Sequence, residues 1–188
     1  MELSQKGSYT SIEEFNRLRV ELVWTSQVDL DLMVFYKTRA GKVGGVYSER
    51  YKGGEHGSLS ESPFIALSGD AGVAAPEVEA PDDKREVLDI ARLDHFEQLC
   101  VCAVNFTEAA EASGRVFADF DARVEVTTDK GEAFNVVLDS VEQGAVAMIC
   151  KLLPTFLGSD LVNKSEVMSV ERLREVAPGA ASLELTKR

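Results

Sequence analysis

Asp29 and Asp31 stand one residue apart in an otherwise apolar run, Val28-Asp29-Leu30-Asp31-Leu32-Met33-Val34-Phe35-Tyr36. Side chains alternate in a β-strand, so the two carboxylates share one face or edge. Like charges held together in a half-buried strand repel each other and resist desolvation. A bound cation is the most economical compensation, and carboxylate oxygens suit a hard one such as calcium. Calcium takes roughly 6–8 oxygens, so further ligands must come from elsewhere. Asp70 in the turn Ser68-Gly69-Asp70-Ala71-Gly72 and the pair Asp82-Asp83 offer carboxylates, with Glu77 and Glu79 between them. No stretch matches the helix–loop–helix calcium motif. Composition alone reads these loop acids as solvated residues of an acid-rich chain, and Asp29 and Asp31 are what that reading explains worst.

Other chemistry has little support. Gly57-Ser58 lacks the Gly-x-Ser-x-Gly elbow, and no phosphate-binding loop or dinucleotide fingerprint is present. Paired acids can hydrolyse glycosides in principle, but two on one strand face are better placed to share a cation. His95 reads as a surface or helix-end residue and His56 as a loop residue. Cys100 and Cys102 alternate within Leu99-Cys100-Val101-Cys102-Ala103-Val104, and Cys150 stands alone. The three read as buried thiols of a reducing cytoplasm rather than a zinc site. No enzyme activity is expected.

The 188 residues suffice for one domain with an ordinary core, and 45% apolar with 28% charged residues is a globular mixture. The formal net charge of −12 argues against nucleic acid, whose phosphates call for Lys and Arg. It argues equally against direct attraction to anionic lipid. The N-terminus carries no signal-like apolar stretch, and no apolar run approaches the ~20 residues of a membrane span. A cytoplasmic protein without a transmembrane segment is expected.

The elements that must hold these residues read as short strands between turns. Leu18, Val20, Leu22 and Trp24 alternate with mostly charged residues, a half-buried strand with one wet face. In the next strand Leu30, Leu32, Val34 and Tyr36 form one face, and Asp29, Asp31, Met33 and Phe35 the other. Further strands are expected at 43–47, 86–90, 99–106, 116–127, 133–138 and 144–153, with a hairpin turn at Asp129-Lys130-Gly131. Residues 49–62 and 107–114 read as connections, and 91–97 as one helical turn. Helical spacing at 165–176, stopped by Pro178-Gly179, predicts a C-terminal helix followed by a loosely held end. The pattern is all-β: a two-sheet β-sandwich over 1–157 with short helical turns, then a helical extension over 158–188.

In order along the chain, the motifs resemble the TerD family of bacterial tellurium-resistance and general stress proteins. Lys6-Gly7, the strand Val20-Glu21-Leu22-Val23-Trp24, Asp29-Leu30-Asp31, Gly41-Lys42-Val43, Ser68-Gly69-Asp70 and Leu88-Asp89-Ile90 carry the likeness. Gly57-Ser58-Leu59, residues 131–138 and Ala145-Val146-Ala147-Met148-Ile149 extend it over about residues 3–156. The resemblance implies a two-sheet sandwich whose loops bind calcium, without established enzyme chemistry. It assigns metal-ligand roles to Asp29, Asp31 and Asp70, and to Asp82 and Asp83 as the match to the family's paired acids. Ala71 stands where the family has Asn, and Lys84 where it has Glu, which predicts that at least one cation position is weakened or lost. The implied function is a calcium-binding stress-response module whose partners are other stress-response proteins or a membrane-associated complex. The alternative is a calcium-independent scaffold of the same family.

Overall fold

The computed structural model describes residues 3, 5–25, 28–68 and 84–187. Its strands, in chain order, are β1 (Tyr9–Glu13), β2 (Leu18–Trp24), β3 (Leu30–Thr38), β4 (Val43–Val46), β5 (Tyr51–Lys52), β6 (Gly57–Ser58) and β7 (Ile65–Leu67). They continue with β8 (Lys84–Ile90), β9 (Phe96–Asn105), β10 (Ala122–Thr128), β11 (Ala133–Leu138), β12 (Val146–Thr155), β13 (Gly158–Met168) and β14 (Glu184–Lys187). Two short helices, α1 (Phe106–Glu111) and α2 (Val170–Val176), interrupt them.

Two six-stranded sheets form the expected all-β sandwich. The first runs β1-β13-β12-β9-β3-β4, and the second β11-β10-β2-β8-β7-β6. Alternation decides what lies between them. Leu18, Val20, Leu22 and Trp24 of β2 meet Leu30, Leu32, Val34 and Tyr36 of β3 in one core, with Ile65, Leu88, Ile90, Phe117 and Phe120. On the outer side of the second sheet, Arg19 pairs in register with Asp89, whose carboxylate takes hydrogen bonds from both Arg17 and Arg19. Burial pushes the Asp89 pKa up, but these two guanidinium groups outweigh it and hold the carboxyl below its ordinary range.

The first sheet is buried on both faces. Met33 and Phe35 of β3, Cys100 and Cys102 of β9 and Met148 of β12 pack in a second cluster under Leu173, Ala177, Ala180 and Leu183. The C-terminal segment is therefore a cover over the outer face. Three expectations change accordingly. The boundary expected at 157/158 falls at the turn of the β12–β13 hairpin, and β13 lies inside the first sheet between β1 and β12. Its inward side carries Ser159 and Asn163 beside Leu161, a buried polar face that hides strand alternation in the sequence. The helix starts at Val170 rather than 165, because residues up to Met168 are paired with β12 and the Ser169 hydroxyl caps the helix by accepting from Arg172 N–H. The end expected to be loose forms β14, paired with β5.

Smaller differences have local causes. The stretch 107–114 holds all of α1 but its first residue, and the helix is started by the Asn105 side chain accepting from Glu108 N–H at 3.0 Å. Residues 91–97 hold a single hydrogen-bonded turn, Phe96 N–H on the Leu93 carbonyl at 2.9 Å, flanked by the Arg92–Asp94 pair and by Arg39 Nε on the Asp94 carbonyl, and β9 takes over at Phe96. Pro154 sits within β12, not after it. Pairing with β9 ends at Leu152, so there the strand has a neighbour only in β13.

Candidate metal centre

β4 stops pairing with β3 at Val34, so around Asp31 and Leu32 the strand has β9 on one side and, among the described residues, no strand on the other. Side chains finish this open edge. Glu86 projects from the inward face of β8, in the opposite sheet, and its Oε2 accepts from the Leu32 N–H. Asp31 Oδ2 accepts from the Tyr51 hydroxyl. Both carboxylates are almost fully shielded, Asp31 at 1% and Glu86 at 2% exposure. Asp29, half-buried one residue outside the strand, takes the Phe106 N–H on its carbonyl at 3.0 Å.

Tyr51 is the hub of this group. Its pKa is driven far up, first by burial and then by the Asp31, Asp29 and Glu86 charges around it. Its ring stacks edge-on against Phe106 and Tyr47 at 6.0 and 6.5 Å between centroids. Lys84 Nζ donates to the Val28 carbonyl at 3.2 Å, which puts its ammonium at the entry to the aspartate strand. Sequence reasoning missed Glu86 and Tyr51 as site residues. For Glu86 the signal was present: Glu86, Leu88 and Ile90 alternate, so the acid shares the buried face. Tyr51 had none, because its contact with Asp31 comes from β5, in a stretch whose sequence reads as a connection.

Of the five predicted ligands, Asp29 and Asp31 lie beside this edge. Asp70, Asp82 and Asp83 fall outside the described residues, as do Ala71, Glu77 and Glu79. Among the described residues no three His, Cys, Asp or Glu side chains are grouped closely enough to hold a metal ion. Carboxylate oxygen is the kind of donor a hard cation takes, but Asp29, Asp31 and Glu86 do not form a ligand set by themselves. A full shell of oxygens would need donors beyond these three.

The cysteines and His95 are packed rather than placed at this edge. Burial raises all three thiol pKa values, that of Cys150 to about 12, so the cysteines are packed as thiols. His95 is not a helix-end residue. Its ring lies 3.9 Å from Phe96 and 5.5 Å from Phe64, centroid to centroid, and neither ring nitrogen has a hydrogen-bond partner among the described residues. Burial lowers its pKa against the pull of Asp94, with Arg92 adding to the lowering. Above about pH 6.5 the imidazole is neutral in both folded and unfolded chains; below it the unfolded chain takes up the proton first, and stability is lost as pH falls through the folded pKa. His95→Phe, which keeps the ring stack, is expected to flatten the fall in stability below about pH 6.5. Urea titrations at a series of pH values measure this, and an unchanged slope would assign the loss to other groups.

No family profile and no curated protein matches the chain. Solved structures do. One is a protein of unknown function, SAV2460, at 14% identity and TM-score 0.54, covering 82% of this chain and 92% of that one. Another is a homologue of the telluride resistance protein TerD, SCO6318 from Streptomyces coelicolor A3(2), at 15% identity and TM-score 0.57, covering 83% and 92%. The chain has the fold of a TerD homologue. On that fold, the Asp29-Leu30-Asp31 motif lies at the start of β3, where Asp31 accepts from the Tyr51 hydroxyl and Glu86 accepts from the Leu32 N–H. Among the described residues no helix is long and apolar enough to cross a membrane.

Proposed function

We propose that this protein is a calcium-binding stress-response module of the tellurium-resistance type that acts by binding rather than by catalysis. One observation supports the reading: Asp31 and Glu86 are both buried, and with Asp29 their charges all bear on Tyr51. A cation there offsets their repulsion and ties the two sheets together, and binding to the folded state alone stabilises it by mass action. Asp70, Asp82 and Asp83 are the remaining ligands of this proposal. The partners are other stress-response proteins or a membrane-associated complex, and the setting is the cytoplasm. Calorimetric titration of metal-free protein with calcium tests it, with heat and a rise in Tm as the expected result. No heat and no shift at millimolar calcium would sink it.

A calcium-independent scaffold of the same fold is the second reading. Lys84 Nζ on the Val28 carbonyl and the Tyr51 hydroxyl on Asp31 favour it, because both soften the field of the carboxylates without an ion. The double variant Asp29→Asn, Asp31→Asn separates the two. A calcium module loses its calcium-dependent shift, whereas a scaffold keeps its metal-free stability or gains some.

A further inference from the structure

β1 is an outer strand of the first sheet and pairs with β13 alone. The other three outer strands of the sandwich are finished. β6 has two residues, too few to template a further strand. β11 takes the Leu3 N–H on its Asn135 carbonyl at 3.2 Å. β4 meets the C-terminal cover, a strap of residues 170–187 whose Gly179 packs so close that a Cβ on it would stand 2.1 Å from the Gly44 carbonyl oxygen. β1 has no such cover among the described residues, and it holds no proline, lysine or register shift to discourage pairing. The phase of its hydrogen bonds is fixed. Asn163 N–H donates to the Ser8 carbonyl at 2.8 Å, and Gly158 lies tight against the Ile12 carbonyl oxygen. Residues 8, 10 and 12 therefore turn their backbone groups toward β13, and Tyr9, Ser11 and Glu13 turn theirs outward. Among the described residues nothing meets these outward groups.

We propose that β1 pairs antiparallel with β1 of a second copy of this chain, joining the first sheets of two molecules across a two-fold axis at Ser11. Ser11 is the middle of the three outward-facing residues. Pairing about it sets Ser11 against Ser11, and Tyr9 of each copy against Glu13 of the other, so every outward N–H finds an outward carbonyl. The contact is self-complementary and closes at two copies. Charge selects the direction. Lys6 precedes the strand, while Glu13 and Glu14 end it, and all three are exposed without an ion pair among the described residues. Antiparallel pairing lays the Lys6 end of each copy beside the Glu13-Glu14 end of the other, whereas parallel pairing would face acid with acid. Exposed apolar groups gain cover as well. Tyr9 of one copy arrives two strand spacings, roughly 10 Å, from the Phe156-Leu157 turn of the other, whose two side chains stand in solvent.

Ser11→Pro tests this, because an edge strand tolerates proline where the lost N–H faces outward. Within one molecule it removes only the exposed hydroxyl contact with Asp160. Sedimentation equilibrium over a concentration series reads the association, and circular dichroism checks the fold. The wild type is expected to pass from monomer to dimer as concentration rises. Ser11→Pro should weaken the dimer by about a hundredfold, since symmetry removes two hydrogen bonds at once and sets two rings at the axis. Charge variants test the same pairing without touching the middle of the strand. Lys6→Glu should weaken the dimer, and adding Glu13→Lys and Glu14→Lys should restore it. A wild type that stays monomeric at millimolar concentration overturns the proposal. A dimer that survives Ser11→Pro with the fold intact does so too, because its contact lies elsewhere. Failure of the charge exchange to restore association overturns the antiparallel arrangement.

Discussion

Glu86→Gln is expected to erase the calcium-dependent rise in Tm while leaving the metal-free protein at least as stable as the wild type. Glutamine keeps an oxygen for the Leu32 N–H, so the bridge between the sheets survives. What disappears is one of the buried charges around Tyr51, and with it repulsion toward Asp31 and Asp29. A ligand at a hundred times its Kd stabilises a protein by about 2.7 kcal/mol. For a chain of this size that corresponds to a shift of roughly 5–10 °C, present in the wild type and absent in the variant. Thermal unfolding with calcium and with chelator, on both proteins, reads all four values. A variant that keeps the full calcium shift would remove Glu86 from the site. A variant destabilised equally in both conditions would make Glu86 a purely structural bridge.

The second large effect is on the cover. Leu173→Asp places a charge where Leu173 is fully buried against the outer face of the first sheet. Loss of the leucine packing alone costs about 2–5 kcal/mol, and the buried carboxylate adds to it. Because α2 is short and lies outside both sheets, that cost falls on docking of the strap before it falls on the sandwich. Opening that becomes easier by about 4 kcal/mol raises the exposed population roughly a thousandfold. Cys100 and Cys102 lie under the strap, whereas Cys150 lies between the sheets. Alkylation in native buffer should therefore be blocked at all three thiols in the wild type. In Leu173→Asp it should proceed at Cys100 and Cys102 and stay blocked at Cys150. Mass spectrometry of the labelled peptides gives the outcome. Equal labelling of all three would mean global unfolding, and no labelling would mean that the strap is not what shields the outer face.

Much of the sandwich is legible in the chain because its signals are local. Alternation in β2, the apolar runs of β3 and β9 and the Asp129-Lys130-Gly131 turn between β10 and β11 each set their element from neighbouring residues. The Asp29/Asp31 oddity is local too, since it needs only the two-residue period of a strand. Elements whose burial is supplied by distant chain were harder to read. β13 hides its period behind buried Ser159 and Asn163, and α1 depends on the Asn105 cap.

By itself, then, the sequence determined the strand periods, the two-sheet class and the placing of Asp31 within an apolar strand, with Asp29 just ahead of it rather than on it. The tertiary structure alone decided what surrounds them. Glu86 meets Leu32 across 54 residues and Tyr51 meets Asp31 across 20, contacts that exist only once two sheets stack and a loop closes over their edge. The cysteines show the same division. Plain alternation would put Cys150 on the face of Val146 and Met148, but the register shift between Met148 and Cys150 turns it inward beside Ile149. A bulge adds one residue to a strand and reverses the facing of all that follow. Its position is set by the strands on either side, so the face of Cys150 is a property of the assembled sheet.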